Sequence, residues 1–218
     1  MISEPPPLPR RPYVIGLTGN IATGKSQVLR MLAELGAYVI DADRRGHALL
    51  RRGGPVYDQV VATFGPAILD GCGQIDRQRL GAVVFSDPQA LRRLEKIVHP
   101  GVIESVHQEV EQVARDGSHP VVVIEAIKLI EAGMVEKLCD ELWVVHATAQ
   151  QQVERLVQTR GLSPEEARRR MAAQPPQREK EARADWVIDN SGALADTRRQ
   201  LEAAWARVTG RQAEQPEP

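Results

Sequence analysis

The stretch Tyr13–Leu35, YVIGLTGNIATGKSQVLRMLAEL, decides the fold. It opens on an apolar run, Tyr13-Val14-Ile15-Gly16-Leu17, with the length and character of one parallel strand buried on both faces. Gly19-Asn20-Ile21-Ala22-Thr23-Gly24-Lys25-Ser26 follows, and it matches the phosphate-loop pattern G-x-x-x-x-G-K-[ST] without a mismatch. Val28, Met31, Leu32 and Leu35 then recur with the period of an amphipathic helix, and Gly36 supplies its stop. Lacking a Cβ, Gly19 and Gly24 let the backbone turn tightly and approach an anion. The loop's N–H groups converge on phosphate oxygens at the positive end of the following helix. Lys25 reaches the β and γ phosphates as a point charge, and the Ser26 hydroxyl can hold Mg²⁺. Nucleotide binding is therefore expected.

Outward from this stretch, 218 residues support one domain of ordinary core size. Charged residues make up 26% of the chain, but 29 acids offset 28 bases, so the net charge of -1 argues against a nucleic-acid partner. Cys72 and Cys139 stand far apart with no C-x-x-C spacing, which excludes a disulfide framework or a zinc site and fits the reducing cytoplasm. Aliphatic runs such as Val121-Val122-Val123-Ile124 are strand length, so no membrane span is expected.

Residues 1–12, with prolines at 5, 6, 7, 9 and 12, read as a disordered leader, and residues 210–218 as a polar tail. Between them, a second strand at Ala37–Ile40 ends in Asp41-Ala42-Asp43, where open α/β sheets bind ligands. If the strand continued, the two aspartates would alternate across the pleat, and either could instead cap a helix over Arg44–Leu50. Val56–Phe64 reads as a helix. Ser86-Asp87-Pro88-Gln89 reads as a capping box for a long helical stretch, which His99-Pro100 is expected to interrupt. A kink there would set His99 beside a pocket, against the plainer reading of a structural histidine. Val121–Ile124 predicts a third strand, and Glu125 at its end stands where phosphate-loop proteins keep a Walker-B carboxylate for Mg²⁺.

Leu142–Val145 and Trp186–Ile188 supply a fourth and a fifth strand. Thr148-Ala149-Gln150-Gln151 and Ser163-Pro164-Glu165-Glu166 are further capping boxes. They open two helices that carry Arg155, Arg160, Arg168, Arg169 and Arg170, either a solvated charged face or a lid that closes on a phosphoryl group. Strands separated by helices throughout predict an α/β fold, a five-stranded parallel sheet with helices on both faces.

Taken together, these marks resemble the dephospho-CoA kinase family from about Tyr13 to Val208. They are Leu17-Thr18-Gly19-Asn20-Ile21 leading into Gly24-Lys25-Ser26, Val39-Ile40-Asp41-Ala42-Asp43, His99-Pro100, and Arg155-Leu156 with Arg160-Gly161-Leu162-Ser163. Gln174 and Ala184-Asp185-Trp186-Val187-Ile188-Asp189-Asn190-Ser191-Gly192 complete the set. The resemblance implies a P-loop NTPase fold over about 13–209, with helices at about 44–118 binding the substrate and an arginine-rich helical lid at about 149–184. It implies ATP with Mg²⁺, dephospho-CoA as the acceptor at its ribose 3′-hydroxyl, and a monomer or weak homo-oligomer. Asp43 matches the catalytic base, with Lys25 and the lid's Arg160 as its partners in catalysis. Ala22, Thr23, Gly24, Lys25, Ser26 and Gln27 match the segment wrapping the ATP phosphates, and Asn190 with Gly192 lies where the nucleotide base is expected. His99, Lys128 and Glu131 are candidates for the acceptor, Ser26 and Glu125 for the metal.

The chain departs from the family at Ile127-Lys128-Leu129-Ile130-Glu131, where Pro-Leu-Leu-Phe-Glu is usual. That change could reshape the acceptor pocket or add a phosphate contact through Lys128. Asn20 also replaces the usual second glycine, and Thr23 stands where serine is common. Two other readings remain: a kinase for a nucleoside, nucleotide or other small hydroxyl compound, and a nucleotide-dependent switch or adaptor without turnover. The absence of an Asn-Lys-x-Asp signature weakens a GTPase switch, and Asp43 favours chemistry.

Overall fold

Residues 14–17, 121–124 and 142–145 are buried throughout, and a strand buried on both faces belongs in the middle of a covered parallel sheet. The computed structural model describes residues 11–214. The rest of the proline-rich leader (1–10) and the end of the tail (215–218) lie outside the described residues. Strands β1 (Tyr13–Thr18), β2 (Tyr38–Asp41), β3 (Val121–Glu125), β4 (Glu141–His146) and β5 (Trp186–Asp189) form one parallel sheet in the order β2-β3-β1-β4-β5. Val14 lies opposite Val122, Leu17 opposite Trp143, and Val145 opposite Ile188. β1 is central, with β3 on one side and β4 on the other. Its carboxyl end therefore lies where the chain changes direction across the sheet, the usual ligand position in open α/β folds.

The two faces of β1 follow the period-2 rule. Ile15 and Leu17 pack into a core with Val28, Met31 and Leu32 of helix α1 (Lys25–Glu34) and Leu201, Ala204 and Val208 near the carboxyl terminus. On the other face Gly16 leaves room for Leu129 and Cys139: an added Cβ would lie 2.6 Å from Leu129 Cδ2 and 2.9 Å from Cys139 Sγ. Burial, reinforced by Asp140 and Glu136, pushes the Cys139 thiol up to about 12, so it packs as an inert apolar group. Gly36, at φ +103, ends α1 as expected, with its N–H bonded to Ala33 O and that of Ala37 to Leu32 O.

The described residues form two compact units, one made of residues 11–40 and 110–214, the other of Asp41–Glu109. The second unit contains α2 (Ala42–Leu49), α3 (Tyr57–Phe64), a 3₁₀ turn at Pro66–Ile68, α4 (Arg77–Ser86) and most of α5 (Pro88–Asp116). Its own core gathers Val56, Val60, Ile68, Leu80, Val84 and Ala90, with Leu49, Leu94 and Val98 packed against it.

Several expectations are corrected here. The long helix is not interrupted at His99-Pro100: α5 runs through Pro100 for 29 residues. Proline removes one helix hydrogen bond there, while Val102 and Val106 beyond it are buried and hold the helix to its neighbours. Ser86 does not cap α5. It is the last residue of α4 and donates to Val83 O, and the Asp87 carboxylate takes the Gln89 N–H at 2.7 Å. After a short helix α6 (Met134–Leu138), the Thr148 box forms in both directions at the start of α7 (Ala149–Arg160). Ser163 caps α8 (Pro164–Ala172), but Glu166 turns its carboxylate to Arg169 and Arg170 rather than back to the cap. The last helix, α10, spans Leu194–Glu214, so residues 210–214 are helical rather than tail. Good helix formers such as Arg211, Gln212 and Ala213 outweigh the single Gly210.

Candidate active site

Helix α1 begins at Lys25, and no side chain caps it: Gly24 occupies the cap position in the left-handed region at φ +99. Its first amides are the orphan donors of a helix amino terminus, which carries partial positive charge. The geometry is that of an anion cradle. Two side chains from distant segments hold its rim. Arg155 donates to Ala22 O at 3.2 Å, Thr23 O at 2.9 Å and Asn190 O at 2.8 Å. Asn190, 5% exposed, donates from Nδ2 to Thr23 O at 2.8 Å while its Oδ1 accepts from Thr197 at 3.0 Å. A Cβ on Gly24 would overlap Asn190 Nδ2 and lie 3.3 Å from the Arg155 guanidinium.

Gly24→Ala therefore combines strain at positive φ, about 1–2 kcal/mol, with displacement of Asn190. Its expected result is a loss of Mg·ADP affinity of about tenfold or more, read by titration calorimetry. Affinity equal to that of the unsubstituted protein would show that the tight rim is not needed.

Lys25 is buried at 9% exposure, and its ammonium donates to Gly19 O at 2.9 Å. It also lies 3.9 Å from Glu125 Oε1 at the end of β3, which puts the expected Walker-B carboxylate beside the loop. Ser26 is exposed on the first turn of α1. Among the described residues no cluster of three or more His, Cys, Asp or Glu side chains could hold a metal. A lone carboxylate and a hydroxyl still fit Mg²⁺, which keeps several waters and takes its remaining ligands from substrate phosphates.

Sequence reasoning read Arg155 as part of the arginine-rich hairpin, whereas it faces the loop. Arg160 is exposed at the end of α7, just before Gly161, and Arg168 is exposed on α8. Gly192 lies in the exposed turn after β5, next to Ser191, whose carbonyl accepts from Gln151 at 2.6 Å. Leu129, within the departure Ile127–Glu131, is fully buried. Glu131 lies 3.5 Å from the ammonium of Lys180, itself 3% exposed, which donates to Ile127 O at 2.6 Å. Lys128 is exposed on the same turn.

In the second unit the aspartates divide. β2 stops at Asp41, whose carboxylate caps α2 by accepting from Arg44 N at 2.8 Å. Asp43 sits in the first turn of that helix. His47 follows one turn later, with Nε2 2.8 Å from Arg77, a pairing that local sequence signals did not reveal. Burial and the Arg77 charge hold His47 below its ordinary value, against the opposing pull of Asp43 and Asp41. His99 lies within α5 in this unit.

The dephospho-CoA kinase family model matches residues 13–196. A dephospho-CoA kinase of Symbiobacterium thermophilum is 48% identical over 203 residues, covering 93% of this chain and 84% of that protein. Among solved structures, a Thermus thermophilus protein superposes with a TM-score of 0.76 at 34% identity, over 91% of this chain and 98% of that one. The dephospho-CoA kinase of Campylobacter jejuni does so with a TM-score of 0.66 at 26% identity, with the same coverage of 91% and 98%. A phosphate loop whose rim is held by Arg155 and Asn190, and a family match spanning both units, lead to one conclusion: the chain belongs to the dephospho-CoA kinase family.

Proposed function

We propose that this protein transfers the γ-phosphoryl group of ATP to the ribose 3′-hydroxyl of dephospho-CoA, giving ADP and CoA, the last step of coenzyme A synthesis. The observation that carries the reading is the uncapped amino end of α1 beside buried Lys25, in a chain of this family. Phosphoryl transfer asks mainly for positioning and charge stabilisation, and the loop supplies both. Gly19 and Ala22–Gln27 hold the ATP phosphates, Lys25 neutralises charge on the β and γ oxygens, and Asn190 and Gly192 border the nucleotide base. Ser26 and Glu125 hold Mg²⁺, which screens the negative charge that the phosphoryl oxygens carry. Asp43 orients the acceptor hydroxyl and takes its proton as the bond to phosphorus forms.

Helices of the 44–118 region bind the acceptor, with His99, Lys128 and Glu131 as contacts. The 149–184 region, led by Arg160, closes as a lid. Among the described residues no helix is long and apolar enough to cross a membrane. The proposal places the enzyme in the cytoplasm as a monomer or weak homo-oligomer, with neither nucleic acid nor membrane as partner.

ADP release with Mg²⁺-ATP and dephospho-CoA tests the reading, with adenosine and water alone as controls. Release that requires dephospho-CoA, with CoA formed in equal amount, is the expected result. ATP binding without CoA formation would assign the loop to another acceptor.

A further inference from the structure

The leading amides of the phosphate loop are already taken by protein groups. Ile21 N–H donates to Gln174 Oε1 at 2.7 Å, and Asn20 N–H donates to Gln177 Oε1 at 2.9 Å. The Asn20 side chain adds a third tie, from Nδ2 to Pro175 O at 2.9 Å. Gln177 is itself anchored, its Nε2 donating to Val145 O of β4 at 3.1 Å. Gln177 opens helix α9 (Gln177–Glu181), whose Lys180 grips Ile127 O at 2.6 Å and whose Glu181 lies 2.6 Å from His146 Nδ1. Residues 174–181 thus cross the carboxyl ends of β1, β3 and β4. They begin two residues after α8 ends at Ala172.

The leading and trailing halves of the loop are therefore treated differently. Asn20 and Ile21 have their donors satisfied by glutamine oxygens, while the amides that open α1 are capped by no side chain. Fixing the first half removes freedom that would otherwise be lost when an anion is gripped by the second, and such pre-organisation appears as affinity. Both glutamines carry a neutral acceptor, which meets an N–H without placing negative charge beside the phosphates.

We infer that Gln174 and Gln177 are positioning residues for phosphoryl transfer, and that the segment from Gln174 to Glu181 is a strap joining the arginine-rich hairpin to the phosphate loop. This rests on the proposed kinase reading for its consequence, although the strap's effect on nucleotide binding can be measured without any acceptor.

The test uses the full chain with Mg²⁺ and ADP as the probe, by titration calorimetry, alongside thermal unfolding. Gln174→Met and Gln177→Met keep the length of the side chain and delete the acceptor. Each is expected to weaken Mg·ADP binding about tenfold, the equivalent of one lost hydrogen bond. Gln174→Glu keeps an acceptor oxygen but sets a negative charge beside the phosphates, and is expected to weaken Mg·ADP binding by about tenfold or more. A purely structural role predicts a lowered melting temperature with unchanged affinity of the folded molecules. That outcome in both methionine variants, or Gln174→Glu binding Mg·ADP as tightly as the unsubstituted protein, overturns the inference. If one methionine variant does not fold, the other decides. Failure of the kinase reading shows separately, as tight Mg·ADP binding by the unsubstituted protein with no CoA formed.

Discussion

Asp43→Asn is expected to lower kcat by about 10²–10⁴-fold, the usual contribution of a positioned general base, while ATP affinity stays within about twofold. The substitution preserves the size of the side chain and removes its negative charge and with it the capacity to take a proton. Two aspartates stand two residues apart, and the structure provides the internal control. Asp41 spends its carboxylate on the Arg44 amide as the cap of α2, a task asparagine performs almost equally well. Asp41→Asn should therefore leave both stability and turnover close to those of the unsubstituted protein, and Asp43→Asn should not. Steady-state turnover with dephospho-CoA and calorimetric titration with nucleotide separate the outcomes. Equal losses of turnover and nucleotide binding in Asp43→Asn would sink the base assignment, and unchanged turnover would show that no base is needed at this position.

The second large effect lies at the start of β4. Glu141 opens β4 with 7% exposure and is gripped by both terminal nitrogens of Arg207, at 2.7 and 2.5 Å. Trp143 Nε1 adds a bond at 2.9 Å, and the guanidinium stacks over Trp186 at 5.0 Å. Burial works to raise the Glu141 carboxyl, but the bonds from Arg207, Trp143 and Tyr13 outweigh it and hold it below the ordinary value.

Arg207→Met leaves a buried carboxylate without its partner and is expected to cost about 3–5 kcal/mol of stability. Replacing both partners with Glu141→Leu and Arg207→Met should recover most of that loss, because the desolvation penalty goes with the charge. The sign of the pH dependence follows from the depressed carboxyl. Its contribution is fully present above the unfolded value of about 4.3 and is lost as pH falls through the lower folded value. In Arg207→Met burial acts unopposed by the arginine and favours the protonated form. The gap in melting temperature between the two proteins should accordingly narrow between neutral pH and pH ~4. A gap that stays constant with pH would show that Arg207 acts through packing on Trp186 rather than through Glu141.

Much of this protein is readable from local sequence because its physical causes are local. The apolar runs at β1, β3 and β4 mark strands buried on both faces, and the period of Val28, Met31 and Leu32 marks the inner stripe of α1. The glycine at 24 stands where φ is positive and an added Cβ would collide, so the loop motif is a direct statement about backbone geometry. Thr148 and Gln151 satisfy each other within a single turn, which is why that box formed as expected.

Tertiary structure decided everything that depends on partners remote in sequence. Ser86 lost its capping role because α4 extends through it, and Pro100 was absorbed because buried valines beyond it hold α5 together. Arg155 turned from the hairpin to the loop, 132 residues away at Thr23. Gln174 and Gln177 reached Ile21 and Asn20 across 153 and 157 residues, and Arg207 met Glu141 across 66. Periodicity, capping and turn chemistry act over a few residues, so the strand, the glycine loop and the helix behind it were determined by the sequence alone. A side chain that satisfies a backbone amide across the sheet has no such local signature, and only the assembled fold could show which groups hold the phosphate loop in place.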